Sequence, residues 1–176
     1  TPRFLNPKIL LPESTFKLKD IRMKNKQLLQ WETENEKGIL DYDIEQFKWN
    51  NWESVGQVRG KGLEKSNVYS FKVSPHSGEN KFRVTQTDNS GEKRISQEII
   101  QESDIEKYTM SPSRVRDYIF FYSAGELKKT RFEVFDAFGN LLKVGLSNNV
   151  DCRNIVNGIY YMNYDNKTEK FLKVSE

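Results

Sequence analysis

Phe82-Arg83-Val84-Thr85-Gln86-Thr87 is followed by Asp88-Asn89-Ser90-Gly91 and then by Arg94 to Ile100. Phe82 and Val84 alternate with polar residues, which puts one face of an extended strand toward a core and leaves the other to water. Asp88 to Gly91, between the two runs, are turn-formers, so the segment reads as two strands joined by a tight connection.

The same grammar repeats upstream. Phe16 to Ile21 alternates, with a slip near residue 20, and Leu28 to Thr33 follows the Lys24-Asn25-Lys26 turn. Ile39 to Trp49 and Trp52 to Val58 flank Asn50-Asn51, a predicted hairpin turn. Gly60-Lys61-Gly62 reads as loop, because two close glycines weaken any regular element, and Val68 to Val73 is a further strand. Seven short strands in some ninety residues predict an immunoglobulin-like or fibronectin-type sandwich. The first 12 residues hold three of the five prolines and are expected to be extended.

Residues 101–107 turn polar and charged, and the expected division of the chain falls there. The segments are an extended stretch at 1–14, a sandwich at 15–101, a linker at 102–107 and a second sandwich at 108–176. Strands resume at Tyr118 to Tyr122, Arg131 to Phe135, Leu141 to Val144, Ile159 to Tyr164 and Lys170 to Val174. Asp136-Ala137-Phe138-Gly139-Asn140 and Asn157-Gly158 read as turns. The fold class is thus all-β, with two consecutive small antiparallel sandwiches.

Composition narrows the function classes. Net charge is +3, with 17 basic and 16 acidic side chains in residues 1–105 and 11 and 9 in the rest. Lysine and glutamate interleave instead of forming a basic stripe, which argues against nucleic acid as a partner. No apolar run is long enough for a membrane-spanning helix. The lone Cys152 makes no internal disulfide and, within the alternating stretch Val150 to Ile155, reads as a small buried thiol. The chain opens on Thr1-Pro2, as expected after removal of a leader or of other upstream residues.

Side chains that could carry chemistry are few. His76 lies in Ser74-Pro75-His76-Ser77-Gly78, read as a loop with a solvated imidazole. Asp41, Asp43 and Glu45 share one face of a strand, but read as its solvent face, opposite Leu40, Tyr42 and Ile44. Trp31 is assigned to the core, whereas Trp49 or Trp52 could offer a flat face to a sugar ring. Asn166-Lys167-Thr168 in a hairpin turn is a chance sequon, and Gly60 to Ser66 lacks the spacing of a phosphate loop. No catalytic residue, metal site or cofactor is expected, and the chain reads as a non-enzyme.

Three segments of the second unit resemble the motifs of type A C-terminal sorting domains, which mark substrates of the type IX secretion system of Bacteroidetes. They are Ser111-Pro112-Ser113-Arg114-Val115-Arg116-Asp117 before the strand Tyr118 to Phe121, then Phe132 to Asn140, then Asn157-Gly158-Ile159-Tyr160-Tyr161 with Lys170 to Val174. Arg114 stands where the family usually has a second proline. Trp31 to Glu36, Tyr42 to Phe47, Trp52 to Gly56 and Phe82 to Asp88 resemble the fibronectin-like domain that often precedes such a domain.

The resemblance implies export through the periplasm to the cell surface, outer membrane or medium. The terminal domain would be recognised by the secretion translocon or other outer-membrane proteins; where a surface cysteine protease then removes it, the rest of the protein would be attached to lipopolysaccharide or another surface glycan. Matched onto this chain, the recognition residues are Pro112, Asp117, Asp136, Gly139, Gly158, Tyr160, Lys170 and Lys173. Two alternatives stand beside this reading. One is a constitutive binding subunit whose sorting-like domain is an uncleaved dock; the other is the tail of a larger secreted hydrolase or adhesin.

Overall fold

A computed structural model describes residues 17–36, 38–63 and 65–175. The expectation of an extended segment at 1–14 therefore lies outside the described residues. The chain is all-β and divides into two compact units, one of residues 1–75 and 80–101, the other of residues 76–79 and 102–176.

The first unit holds β1 (Lys17–Lys24), β2 (Leu28–Glu34), β3 (Tyr42–Lys48), β4 (Asn51–Val58), β5 (Asn67–Lys72), β6 (Glu79–Thr87), β7 (Lys93–Ile95) and β8 (Ile99–Glu102), except that Glu79 of β6 and Glu102 of β8 are counted with the second unit. One sheet has the order β1-β2-β5 and the other β4-β3-β6-β7, with β8 also on β6. Taken as one interrupted strand, β7 and β8 make this the strand order of a fibronectin-type sandwich, with the fourth strand on the sheet of the third. Ile21, Leu29, Trp31 and Tyr69 from one sheet meet Tyr42, Ile44, Phe82 and Val84 from the other in a single buried cluster. The slip expected near residue 20 is a register shift between Leu18 and Asp20, which keeps Ile21 pointing inward.

Several strand limits differ from expectation. The hairpin loop is Trp49-Asn50, not Asn50-Asn51: both residues take positive φ (51° and 62°), and Lys48 pairs with Asn51. That is the backbone of a primed two-residue turn, whose twist matches the flanking strands. The run 94–100 is broken at Ser96, whose backbone N–H donates to Val84 O while its hydroxyl accepts from Val84 N–H. Residues 39–41 lie outside the strand.

Unit two stacks a four-stranded sheet on a five-stranded one. The first contains β9 (Tyr108–Ser111), β11 (Tyr118–Ser123), β12 (Glu126–Leu127) and β15 (Asn149–Asp151) around a central β11. The second, in the order β10-β17-β16-β13-β14, contains β10 (Arg114–Val115), β13 (Thr130–Asp136), β14 (Leu141–Ser147), β16 (Gly158–Tyr164) and β17 (Lys167–Lys173). Ile119, Phe121 and Val150 from one sheet pack on Val134, Met162, Tyr164 and Phe171 from the other. Cys152 is fully buried in this cluster, and its burial pushes the thiol pKa up.

Candidate functional site

The three sorting-like motifs meet at one end of the five-stranded sheet. In register across it, Val115 pairs with Lys173 and Lys173 with Gly158, while Tyr160 pairs with Asp136 two rows further along. Residues more than forty positions apart in sequence are therefore neighbours on adjacent strands.

Asp136 organises the connection from β13 to β14. Its carboxylate accepts from the backbone N–H of Phe138 and Asn140, each at 2.9 Å, and from the Asn140 side-chain amide. Its own carbonyl accepts from Gly139 N–H at 3.1 Å. The Asn140 amide groups, with the other turn N–H donors, favour the charged form and hold the Asp136 pKa below its usual value. Gly139 has φ of 85° and a Cβ there would meet nothing, so the glycine is required by backbone conformation rather than by space. The turn drives Phe138 outward to 90% exposure.

Tyr160 is buried, stacks on Phe171 with ring centroids 5.5 Å apart, and donates its hydroxyl to Val156 O at 2.7 Å. Lys173 is also buried, and its amine donates to Arg116 O and to Val174 O. A buried ammonium needs such oxygen partners. With Leu172 N–H donating to Ser113 O and Val174 N–H to Val115 O, it ties β17 to the first motif. Pro112, joined to Ser111 by a cis peptide, and Asp117 are exposed at that entry, and Asp117 O accepts from Cys152 N–H at 2.7 Å. Lys170 lies apart on the outer face of the sheet, opposite Tyr161.

Asp136, Gly158 and Tyr160 line one cleft of about 450 Å³. Its other walls include Phe138, Leu142 and Val156, and Val156 is 78% exposed. A single exposed apolar side chain is ordinary, but a cleft rimmed by two such residues is the form of a docking site for an apolar group. Phe138, Leu142 and Val156 were not singled out from the sequence. The signal for Phe138 was present, since an aromatic at the tip of a turn capped by its own Asp136 and Gly139 has nowhere to bury.

Elsewhere the candidates for chemistry are tied down. His76, expected to be solvated, is buried: its Nδ1 donates to Ser77 O, in a segment where the Asp165 carboxylate accepts from Ser77 N–H and hydroxyl and from Tyr108 N–H. The Ser77 hydroxyl faces a carboxylate, not the imidazole, so this is no nucleophile–histidine pair. Glu45, expected on the solvent face, is buried against Arg83 and Lys93, each at 2.5 Å. Asp43 accepts from the Ser54 hydroxyl. Among the described residues there is no group of three His, Cys, Asp or Glu placed to hold a metal. Trp31 is core, while Trp49 and Trp52 are half-buried with cations over their rings, Lys48 at 4.3 Å and Arg83 at 4.1 Å. No described helix is long and apolar enough to cross a membrane, which says nothing of β-barrels.

No family model and no curated protein matches the chain. Among solved structures, it is similar to a tetra-tandem repeat in the extending region of a large adhesion protein. That likeness has 10% identity and a TM-score of 0.34, over 89% of this chain and 48% of the other. It is also similar to the FN1–FN3 domains of chicken CNTN1, with 12% identity and a TM-score of 0.29, over 83% of this chain and 60% of the other. The chain thus spans 48% and 60% of these chains' lengths. The architecture rests on the strand order itself.

Proposed function

We propose that this is a non-enzymatic exported protein whose second unit is a recognition module, read by the type IX secretion translocon for delivery to the cell surface. The observation that carries the reading is the convergence of three separate motif segments, with Asp136, Gly158 and Tyr160 lining a single cleft rimmed by exposed Phe138 and Val156. Asp136 and Gly139 hold the Phe138 turn in shape, Tyr160 and its bond to Val156 O hold the opposite rim, and Lys173 anchors the terminal strand. A translocon component would supply an apolar side chain to the cleft.

The test is secretion in a Bacteroidetes host of the chain behind a periplasmic leader, with and without residues 108–176, and with Phe138→Asp and Val156→Asp together. Retention of both altered forms in the periplasm, with the double variant folded by circular dichroism, is the expected result. Surface delivery that persists without 108–176 overturns the proposal.

A second reading, the uncleaved dock, is favoured by one observation. Residues 76–79 belong to the second unit, where Asn166 donates to Ser77 O and Ser103 N–H to Gly78 O. A cut within 101–107 would detach that piece from the rest of its own unit. Mass spectrometry of the surface-delivered protein separates the two: an intact C-terminus supports the dock, and loss of 108–176 supports processing.

A further inference from the structure

One face of the five-stranded sheet packs Val134, Tyr160, Met162 and Phe171 into the core, and the opposite face, where polar residues would be usual, is apolar as well. Across its strands Leu172 stands beside Ile159, and Tyr161 beside Phe135 and Leu141. A bulge at Leu142 brings Leu141 onto the same face as Val144 and Leu146, which continue the apolar surface along β14. Phe135 is half-buried and the rest are exposed, Leu141 by 53%, Val144 by 63% and Leu146 by 65%. A continuous exposed apolar surface of this kind marks a place where a protein meets a partner or a membrane.

The charges on that face decide between occupants. Arg114 pairs with Leu172, Lys170 with Tyr161 and Arg131 with Leu146, so three exposed cations stand at its margins. Among the described residues none of the three makes an ion pair. Glu133, the one acid at these paired positions, accepts from the Asn163 amide at 3.2 Å. The first unit offers the contrast: on its β1–β2 pair, Lys17, Lys19 and Arg22 lie against Glu34, Glu32 and Asp20.

We infer that this face seats the second unit on an anionic lipid bilayer. Unpaired positive charge around an apolar centre is complementary to a surface that is anionic at its headgroups and apolar beneath them. The guanidiniums of Arg114 and Arg131 match lipid phosphates in bidentate geometry, and the Lys170 stem lies along apolar surface with its amine among the headgroups. Leu141, Val144 and Leu146 enter the boundary between headgroups and acyl chains, and Tyr161 keeps its hydroxyl in the wet layer. A second copy laid on the face would instead set three unpaired cations against three more, with only Glu133 to answer them. The apolar side chains stand side by side along a pleated surface, which suits a broad partner better than a single inserted anchor.

Flotation of the full chain with vesicles tests this. Phosphatidylglycerol vesicles should carry the protein at an ionic strength of about 0.01 M and release most of it at about 1 M, where charges are screened within a few ångströms. Phosphatidylcholine vesicles should carry little at either. Each cation strengthens attachment to an anionic surface about fivefold, so Arg114→Gln with Arg131→Gln should lower partitioning about thirtyfold. Val144→Ser with Leu146→Ser should lower it at least about tenfold through lost apolar burial. All four side chains are exposed, so both double variants should keep the wild-type circular dichroism and melting temperature. Absence of flotation with phosphatidylglycerol at low salt overturns the inference and leaves the face to an acidic protein. Equal flotation with phosphatidylcholine overturns it too, as does either double variant that floats like the wild type.

Discussion

Replacing Glu36 with glutamine should destabilise the first unit by about 3 kcal/mol. The Glu36 carboxylate is buried and, among the described residues, has no cation paired with it, yet it collects four donors. Oε1 accepts from the Thr33 hydroxyl, from Tyr42 OH at 2.7 Å and from Tyr69 OH at 2.8 Å. Oε2 accepts from Gly62 N–H at 2.8 Å and also faces Tyr69 OH at 2.9 Å. Tyr42 and Tyr69 pack on Trp31 in the core, with ring centroids 5.7 and 5.3 Å from it, so the carboxylate ties the loop at Gly62 to the centre of the sandwich. Glutamine keeps the shape and one oxygen. It turns a donor toward Gly62 N–H, leaving that group unpaired at about 1–3 kcal/mol, and it removes charge assistance worth about 1 kcal/mol from each surviving bond. The relief of no longer burying a charge offsets part of that sum.

The assay is urea unfolding followed by tryptophan fluorescence, which reports on the first unit alone because all three tryptophans lie in it. The pH dependence is the sharper readout. Burial pushes the Glu36 pKa up, but the hydrogen bonds from Thr33, Tyr42, Tyr69 and Gly62 outweigh it and hold the group below its ordinary 4.5. A carboxylate depressed in the folded state adds stability that is complete above its unfolded pKa and is lost as pH falls through its folded one. The gap between wild type and E36Q should therefore be flat from pH 7 to about 5.5, begin to narrow near the unfolded value of about 4.5, and close as pH passes the lower folded value, where Glu36 itself becomes neutral. A gap under about 1 kcal/mol at neutral pH would refute the reasoning, as would one that does not narrow in acid.

Other consequences follow from single contacts. Gly145→Ala should lower the stability of the second unit by about 1–2 kcal/mol in thermal unfolding, since the new methyl must displace the packed Phe132 ring. Asp136→Ala should speed amide exchange at Phe138 and Asn140, whose N–H groups the carboxylate holds, more than at Gly139, which donates to the Asp136 carbonyl. Cys152 should resist thiol reagents at pH 8 in the native protein and react once per chain in denaturant, because it is fully buried with a raised pKa.

Much of the fold was legible because its strands alternate and its turns use turn-formers. Trp31, Tyr42, Ile44, Phe82 and Val84 all fall where period-two alternation puts them. The failures share a cause, which is that the deciding partner lies far away in sequence. Glu45 looked solvated because Arg83 and Lys93, the cations that make its burial tolerable, belong to other strands. His76 is in a loop, as expected, but looked solvated because the residues that enclose its segment include Asp165 and Asn166. The hairpin loop was displaced by one position because tryptophan is a poor turn-former by composition, while the backbone at Trp49 obeys the register that Lys48 and Asn51 impose. β14 was cut short at Val144 because glycine reads as a breaker, whereas Gly145 stays in the strand and yields its space to an aromatic ring.

At the candidate site the architectural role of the motif residues can be separated from the recognition role proposed for them. Five of the eight motif residues, Asp136, Gly139, Gly158, Tyr160 and Lys173, lie in turns or make contacts that shape the end of the five-stranded sheet. A sequence comparison would single them out whether or not anything binds. What distinguishes recognition from mere architecture is the side chains they hold out. Phe138 sits at the tip of a turn that Asp136 and Gly139 hold in shape, and Val156 on a rim that the Tyr160 hydroxyl fixes. Neither outer residue is needed for the core, so replacing both with aspartate should leave the melting temperature unchanged. If secretion fails in that variant while folding survives, the turn residues act as positioning groups and the apolar rim is the surface that is read. If secretion survives, the motif is a folding signature and the recognised surface must lie on another face.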